Sequence, residues 1–195
     1  MRARQPRWGQ TRAVLLQAAK GIAAESGLAG VRAEAVAKRA GTAKGTVSAH
    51  FPDKDHLLAA LVANRLRALP DPGPVTGATA LIAGCRPLLT LLVSEPEVLA
   101  VMARFSMPQG EGSGMGEAIH ARLAAMAGQI AAMQVAENGA LRPLEPALLA
   151  EGLMAFAFHA AGSALCAAVA QPRDSAEAVA VTLFARLADA WLIPK

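Results

Sequence analysis

The sequence predicts an all-α protein with two helical domains, and three observations support this prediction. Alanine, the best helix former, occurs 47 times, against 25 occurrences of Val, Ile and Thr together, whereas strands favour β-branched and aromatic residues. Apolar residues make up 54% of the 195-residue chain, which is enough for a core and too much for disorder. A proline-rich segment at 70–74 divides the chain, because prolines stop a helix.

The charge of the chain changes sign at this segment. Residues 1–69 hold twelve Lys or Arg and four Asp or Glu, a balance of +8, whereas residues 70–195 hold seven and eleven, a balance of −4. A basic domain on an acidic remainder indicates that the first part meets a polyanion. We therefore predict domains at 1–69 and 70–195.

Several classes of protein are disfavoured by what the sequence lacks. Cys85 and Cys166 have neither the number nor the spacing of a disulfide framework or a zinc site. No apolar stretch follows the first eight residues, so a signal peptide is not predicted. The G-x-S-x-G, H-E-x-x-H, Walker and C-x-x-C motifs are absent, although distant residues could still form a catalytic site. We expect a cytoplasmic protein that is not an enzyme and has no cofactor and no metal.

The first domain is predicted to contain three short helices and a longer fourth. Thr11 is expected to cap the first helix and Gly27 to end it. The second helix runs over about 31–39 and the third over about 43–51, and Asp53 caps the fourth. Ala37 and Gly41 between the middle pair suit the close approach and tight turn of a helix-turn-helix.

The third helix exposes side chains that donate to phosphates or base edges. Lys44, Thr46 and His50 lie on its exposed face, as a helix in a DNA major groove requires. The alternative is an ordinary pair of helices with a solvated polar face. The net charge of +8 in residues 1–69, together with Arg2, Arg4 and Arg7 ahead of the helices, favours the DNA-binding interpretation.

Residues 11–62 resemble the DNA-binding domain of the TetR family of transcriptional regulators. The resemblance rests on the run V-A-K-R-A-G-T-A-K-G-T-V-S-A-H-F-P-D-K-D-H-L-L, preceded by A-A-K-G-I-A-A-E-S-G-L. It implies a homodimer whose C-terminal helical domain binds a small effector and dimerises. It also implies that Lys44, Thr46 and His50 face DNA and that Lys54 meets a phosphate. The predicted DNA-binding residues are Arg4, Arg7, Arg32, Thr42, Lys44, Gly45, Thr46, Ser48, His50 and Lys54.

Two positions depart from the family pattern. Ser48 stands where a Tyr usually contacts the DNA backbone, and Ala43 stands where a Ser or Thr caps the recognition helix. Thr42 is expected to take over the cap, and the arginine-rich arm to compensate through the backbone or minor groove. Weaker DNA binding is the expected consequence, because phosphate contacts position a protein on DNA.

The second domain is predicted to be helical throughout. The stretch 152–172 contains no charged residue and is long enough to span a membrane, but it lacks flanking basic clusters, so we expect a buried helix and no membrane. The last two helices are expected to form a four-helix dimer interface; the alternative is that they bury each other within a monomer. The predicted interface residues are Leu153, Ala157, Ala164, Phe184, Leu187 and Trp191.

Met and Phe residues are expected to surround an effector cavity in this domain. The same pattern fits an ordinary core, and a lone His in apolar surroundings is often a core residue. The predicted effector-binding residues are Met102, Phe105, Met126, Met133, Phe156 and His159. We thus predict a homodimeric repressor of a palindromic operator in double-stranded DNA, released by a small apolar effector. The alternative is a helical dimer that binds a small molecule and has largely lost DNA binding.

Overall fold

The predicted all-α fold is confirmed by a computed structural model that describes residues 4–71, 73–105, 114–136, 140–167 and 173–194. These residues form α-helices and one short 3-10 helix, Leu28–Gly30, and no strand occurs among them. The α-helices are α1 (Arg4–Ser26), α2 (Ala33–Ala40), α3 (Lys44–His50), α4 (Lys54–Ala68), α5 (Ala78–Gly84), α6 (Arg86–Ser94), α7 (Pro96–Phe105), α8 (Met115–Ala136), α9 (Pro146–Ala167) and α10 (Arg173–Leu192).

The chain forms two compact units whose limits differ from the predicted domain boundary. The first unit comprises residues 1–65 and 101–116, and the second comprises 66–100 and 117–195. The end of α7 joins the first unit through contacts with the start of α4. Arg104 Nη1 lies 2.7 Å from Asp55 Oδ2, and the rings of His56 and Phe105 meet edge to face at 5.5 Å. These long-range contacts bring residues from beyond position 100 to the first helices.

The first unit has the predicted helix-turn-helix. Leu15, Val36 and Val47, from α1, α2 and α3, are at most 1% exposed and form its core. Gly41 ends α2 with a φ of 66°, a left-handed conformation that suits glycine. The Thr42 amide then donates to the Ala37 carbonyl at 2.9 Å, which turns the chain into α3.

The two predicted helix caps in this unit have different outcomes. Asp53 caps α4 as predicted, because its Oδ1 accepts a hydrogen bond from the His56 amide at 2.8 Å. The prediction for Thr11 is wrong. α1 begins at Arg4, so Thr11 lies inside the helix, where its hydroxyl donates to the Arg7 carbonyl at 2.9 Å.

The second unit is organised around α9 and α10. α10 packs along α9 and also contacts α6 and α5, while α6 contacts α9. Leu92, Leu153 and Phe184 are at most 1% exposed in this core. Thr90 of α6 donates to a Glu177 carboxylate oxygen of α10 at 2.9 Å.

A close approach and a polar contact fix the α9–α10 pair. Gly152 lies directly under Trp191: a Cβ on Gly152 would lie 2.6 Å from Trp191 Cε2. The Trp191 indole donates to the Leu149 carbonyl at 3.3 Å and meets the Phe156 ring edge to face at 5.9 Å. At the end of α10, the Arg142 side chain donates to the carbonyls of nearby residues, including Trp191 at 2.9 Å.

Within the described residues, α9 is the one helix that is long and apolar enough to cross a membrane. Of its most apolar window, 44% is buried inside the protein, and eight of its residues belong to the core of the second unit. The core helix of a soluble protein meets the same criteria of length and composition. Apolarity of α9 is therefore weak evidence for a membrane span.

Candidate DNA-binding surface

The exposed face of α3 carries the side chains predicted to meet DNA. Val47 anchors the helix at 1% exposure, while Lys44, Gly45 and Ser48 are exposed and Thr46 is half-buried. Seven residues give about two turns, which is the length needed to present a few side chains to a groove. Most of the predicted α3 residues are thus brought together on one accessible face.

The start of α3 differs from the prediction for Thr42. The N-cap residue is Ala43, and no described side chain caps the helix there. The Thr42 hydroxyl is buried and has no hydrogen-bond partner among the described residues, because Thr42 sits one residue too early in the turn. Thr42 does not cap α3, so that prediction is wrong, and its buried hydroxyl is not on the exposed face of α3.

Two exposed ion pairs involve cations of the helix-turn-helix unit. Lys44 at the start of α3 pairs with Glu34 of α2, and both side chains are more than 60% exposed. The hydrogen bond from Lys44 lowers the pKa of the Glu34 carboxyl. Arg39 of α2 binds Glu25 of α1 at 2.5 Å. Because exposed pairs are worth little, a phosphate can replace either carboxylate at small cost.

Two further predicted cations lie beside the helix-turn-helix. Arg32 precedes α2 and is exposed. Lys54 is exposed in the first turn of α4, and its Nζ lies 3.3 Å from the Ala29 carbonyl. Arg7 is exposed on α1, whereas the side chain of Arg4 lies outside the described residues.

His50 does not face DNA, contrary to the prediction. Its side chain is 8% exposed and stacks on the Trp8 ring of α1, with ring centroids 3.7 Å apart at 36°. Burial, and secondarily the charge of Arg12, lowers the pKa of the imidazole. The ring is therefore a neutral packing group at the end of α3.

Sequence reasoning missed Trp8 and Arg12, which contact the end of α3. Arg12 Nη1 donates to the His50 carbonyl at 2.7 Å, and its guanidinium lies 4.3 Å over the Phe51 ring. Burial lowers the pKa of Arg12. The signal that could have found them is the spacing of positions 8, 12 and 15, because residues three and four apart share a helix face with the buried Leu15.

A cavity of about 240 Å³ lies inside the second unit. Its wall is mostly apolar, and Met126 is the one predicted effector residue among those that line it. The cavity is lined by Leu66, Arg67, Leu69, Asp71, Leu81, Gly84, Cys85, Leu88, Ala118, Ala121, Arg122, Ala125, Met126 and Gln129. Burial raises the pKa of the Cys85 thiol to about 11, so this part of the wall is uncharged.

The other predicted effector residues do not line this cavity. Met133 is buried elsewhere in the core, and Phe156 packs on Trp191. His159 is exposed on α9. Met102 and Phe105 belong to the first unit, where Phe105 packs against His56. Periodicity identified four of these six residues correctly as buried, but not the exposed His159, and it did not show which of them line one cavity.

Most of the predicted dimer-interface residues are buried within one protomer. Leu153, Ala157, Ala164 and Phe184 are at most 1% exposed, because α9 and α10 pack on each other through them. They form the core of the second unit and are not available to a partner, so these four assignments are wrong. Leu187 and Trp191 are half-buried.

Among the described residues, no group of three or more His, Cys, Asp or Glu could hold a metal ion. The described chain thus offers an exposed cationic helix-turn-helix face and, in a separate helical unit, an apolar cavity. Together they define a helix-turn-helix DNA-binding protein.

Comparison with known proteins specifies the family. Residues 15–61 match the model of the bacterial regulatory proteins of the tetR family. A transcriptional regulator from Rhodococcus sp. Rha1 is 26% identical, with a TM-score of 0.53 over 90% of this chain and 95% of that one. No curated protein compared with the sequence matches it. Residues 15–61 thus carry the DNA-binding domain of the TetR family of regulators, and the fold of the chain is that of a solved transcriptional regulator.

Two further solved structures share the fold. TylP, a TetR regulator from Streptomyces fradiae, is 21% identical, with a TM-score of 0.57 over 95% of this chain and 88% of that one. FadR from Bacillus subtilis, in complex with stearoyl-CoA, is 16% identical, with a TM-score of 0.61 over 90% of this chain and 96% of that one. The similarity therefore extends through the helical second unit.

Proposed function

We propose that this regulator is a repressor that binds a palindromic operator as a homodimer and leaves it when a small apolar effector binds. The observation that carries the proposal is the exposed face of α3, where Lys44, Thr46 and Ser48 are accessible; Lys54, in the first turn of α4, is also exposed. The +8 balance of residues 1–69 supplies attraction to phosphates. The protein acts in the cytoplasm, without catalysis, cofactor or metal.

We propose that the dimer forms through the outward faces of α9 and α10. Leu148 and Val179 are 46% and 40% exposed on these helices, and Ala155 and His159 are exposed along α9. Exposed apolar side chains of this kind are typical of a surface that is buried against a partner protein. A two-fold axis there suits recognition of two half-sites about 34 Å apart. Analytical ultracentrifugation tests this: Ala155→Glu should shift the protein towards monomer, and an unchanged dimer would refute this interface.

The cavity supports a compact, uncharged effector. Both cations in its wall already have partners: Arg122 donates to the carbonyls of Leu69 and Pro70 at 3.3 and 3.2 Å, and Arg67 lies 3.5 Å from Glu117. An anionic ligand would have to break these contacts to pair with either arginine, whereas an apolar ligand can occupy the cavity and leave them intact. About 240 Å³ is small for a ligand site.

Release of DNA follows if the effector prefers the conformation that binds DNA less well. By linkage, the operator affinity then falls by the ratio of the effector's affinities for the two states. A typical coupling of about 1–3 kcal/mol gives a loss of roughly 5- to 150-fold. A thermal-shift screen with hydrophobic compounds, followed by titration of DNA, tests this. Met126→Ala should reduce the effect of a hit and leave DNA binding without ligand unchanged.

The decisive experiment is selection of bound fragments from a random pool of duplex DNA. Lys44→Ala or Thr46→Ala should weaken binding to the selected site, and at least one should change the base preferred at one position by roughly 1–3 kcal/mol. Lys54→Ala should weaken all sequences alike, since a phosphate contact carries no base information. If the pool yields no enriched sequence, the proposal is wrong.

A second candidate function is a small-molecule-binding dimer that has largely lost DNA binding. Ser48 in place of Tyr and the uncapped start of α3 at Ala43 favour it. Ser48→Tyr separates the two: it tightens binding if the family's backbone contact can be restored. If no duplex binds even with this substitution, the second candidate holds.

A further inference from the structure

From Arg4 onwards the N-terminal arm is a helix, which changes how Arg7 would reach DNA. α1 begins at Arg4, so the first two turns precede the point where the sequence predicted the helix to start. Trp8 lies one turn before Arg12, and Arg12 lies about one turn before Leu15, which is fully buried. These three positions share one face of the helix. The arm thus continues the packed face of α1 beyond the core.

Three contacts tie this face of the arm to the end of the recognition helix. The Trp8 ring stacks on the His50 ring at 3.7 Å, Arg12 Nη1 donates to the His50 carbonyl at 2.7 Å, and the Arg12 guanidinium covers the Phe51 ring at 4.3 Å. His50 Nδ1 is buried without a hydrogen-bond partner among the described residues. The imidazole serves the stack and makes no polar contact there with its Nδ1.

We propose that Trp8 is a positioning residue that fixes the helical arm on the end of α3, so that Arg7 binds an operator phosphate from a preordered helix. This inference rests on the proposed operator binding. Arg7 is adjacent to Trp8 and is exposed. The stack of Trp8 on His50 therefore fixes the backbone position from which the Arg7 side chain extends. A preordered contact loses less conformational entropy on binding than a flexible arm does. The arm then follows the backbone and does not enter the minor groove as an extended chain.

The first test compares Trp8→Ala with a matched control in the full-length protein, using the operator selected from the random pool. Val14→Ala is the control, because Val14 lies on the same helix and both side chains are 52% exposed. Trp8→Ala should weaken operator binding about 3- to 10-fold, as expected for loss of an aromatic pair. It should also lower the slope of log affinity against log salt by about one unit. Val14→Ala should change neither quantity.

A double-mutant cycle shows whether Trp8 acts through Arg7. If it does, Arg7→Ala costs much less affinity in the Trp8→Ala background than in the wild type. Trp8→Phe and His50→Phe should each keep most of the wild-type affinity for the operator, since both variants keep a stacked aromatic pair. Circular dichroism of each variant checks that the helices remain folded at the temperature of the titrations.

Several outcomes would overturn the proposal. Additive effects in the cycle, or an unchanged salt slope in Trp8→Ala, would mean that Trp8 does not position Arg7. A loss in His50→Phe as large as that in Trp8→Ala would mean that the imidazole itself binds DNA. These results differ from failure of the proposed function, in which the wild-type protein selects no operator.

Discussion

Replacing Gly152 by alanine tests the close approach of α9 to α10. A Cβ at this position would lie 2.6 Å from Trp191 Cε2 and 3.1 Å from Cδ1, distances that force one of the two helices or the indole to move. The indole is held by the Leu149 carbonyl and by the edge of Phe156. It therefore cannot rotate away without losing both contacts.

The expected magnitude follows from two opposing effects. Overpacking a core costs about 1–3 kcal/mol, while alanine in place of glycine inside a helix stabilises by roughly 0.5–1 kcal/mol. The net expectation for Gly152→Ala is a loss of up to about 2.5 kcal/mol in the free energy of unfolding. For a chain of this length that lowers Tm by up to roughly 10 °C.

Gly162→Ala is the matched control, because this glycine lies on the same helix and an added Cβ would meet nothing within 4 Å. Only the helix propensity then changes, so Tm should rise by about 1–4 °C. Thermal unfolding followed by circular dichroism measures both variants. Trp191 fluorescence in a Trp8→Phe background reports the second unit by itself. Equal Tm values for the two variants would refute the packing described for Gly152.

Three further predictions concern the DNA-binding unit. Ala43→Ser should supply the missing N-cap and raise the free energy of unfolding by about 1 kcal/mol in urea titrations; no gain would mean that the α3 amides already have partners. Glu34→Gln should free Lys44 from its ion pair and tighten operator binding in low-salt titrations, whereas weaker binding would show that the pair orients Lys44. Because burial lowers the pKa of His50, the unfolded state takes up the proton first as the pH falls below about 6.5. Stability should therefore decrease from pH 7 towards pH 5, and this part of the decrease should vanish in His50→Phe; an identical pH dependence in that variant would contradict the assignment.

Features set by short-range rules could be predicted from the sequence. Gly41 requires a left-handed backbone after α2, and Asp53 accepts an amide three residues later, so both follow from a few neighbouring residues. The match to the family over residues 15–61 rests on such local order and spacing. The exposed face of α3 followed from the same information.

Features set by long-range packing could not be predicted. His50 and Lys44 are both polar residues of one short helix, and His50 is contacted by Trp8 and Arg12 of α1, which are distant in the sequence. Alanine and leucine positions on α9 suit a subunit interface and an internal contact equally well. The sequence pattern does not say that α10 occupies that face within the same chain.

The end of α10 carries a consequence for how the second unit opens. Helix ends fray because their last four carbonyls have no partner within the helix. Here the Arg142 side chain donates to the carbonyls of Ala190, Trp191 and Ile193, and its amide donates to Leu192 at 2.6 Å. The terminal turn is thereby tied to a residue about fifty positions earlier in the chain. These contacts oppose local unwinding from this end, so we expect the amide protons of α10 to exchange with solvent in the same cooperative opening that exposes α9.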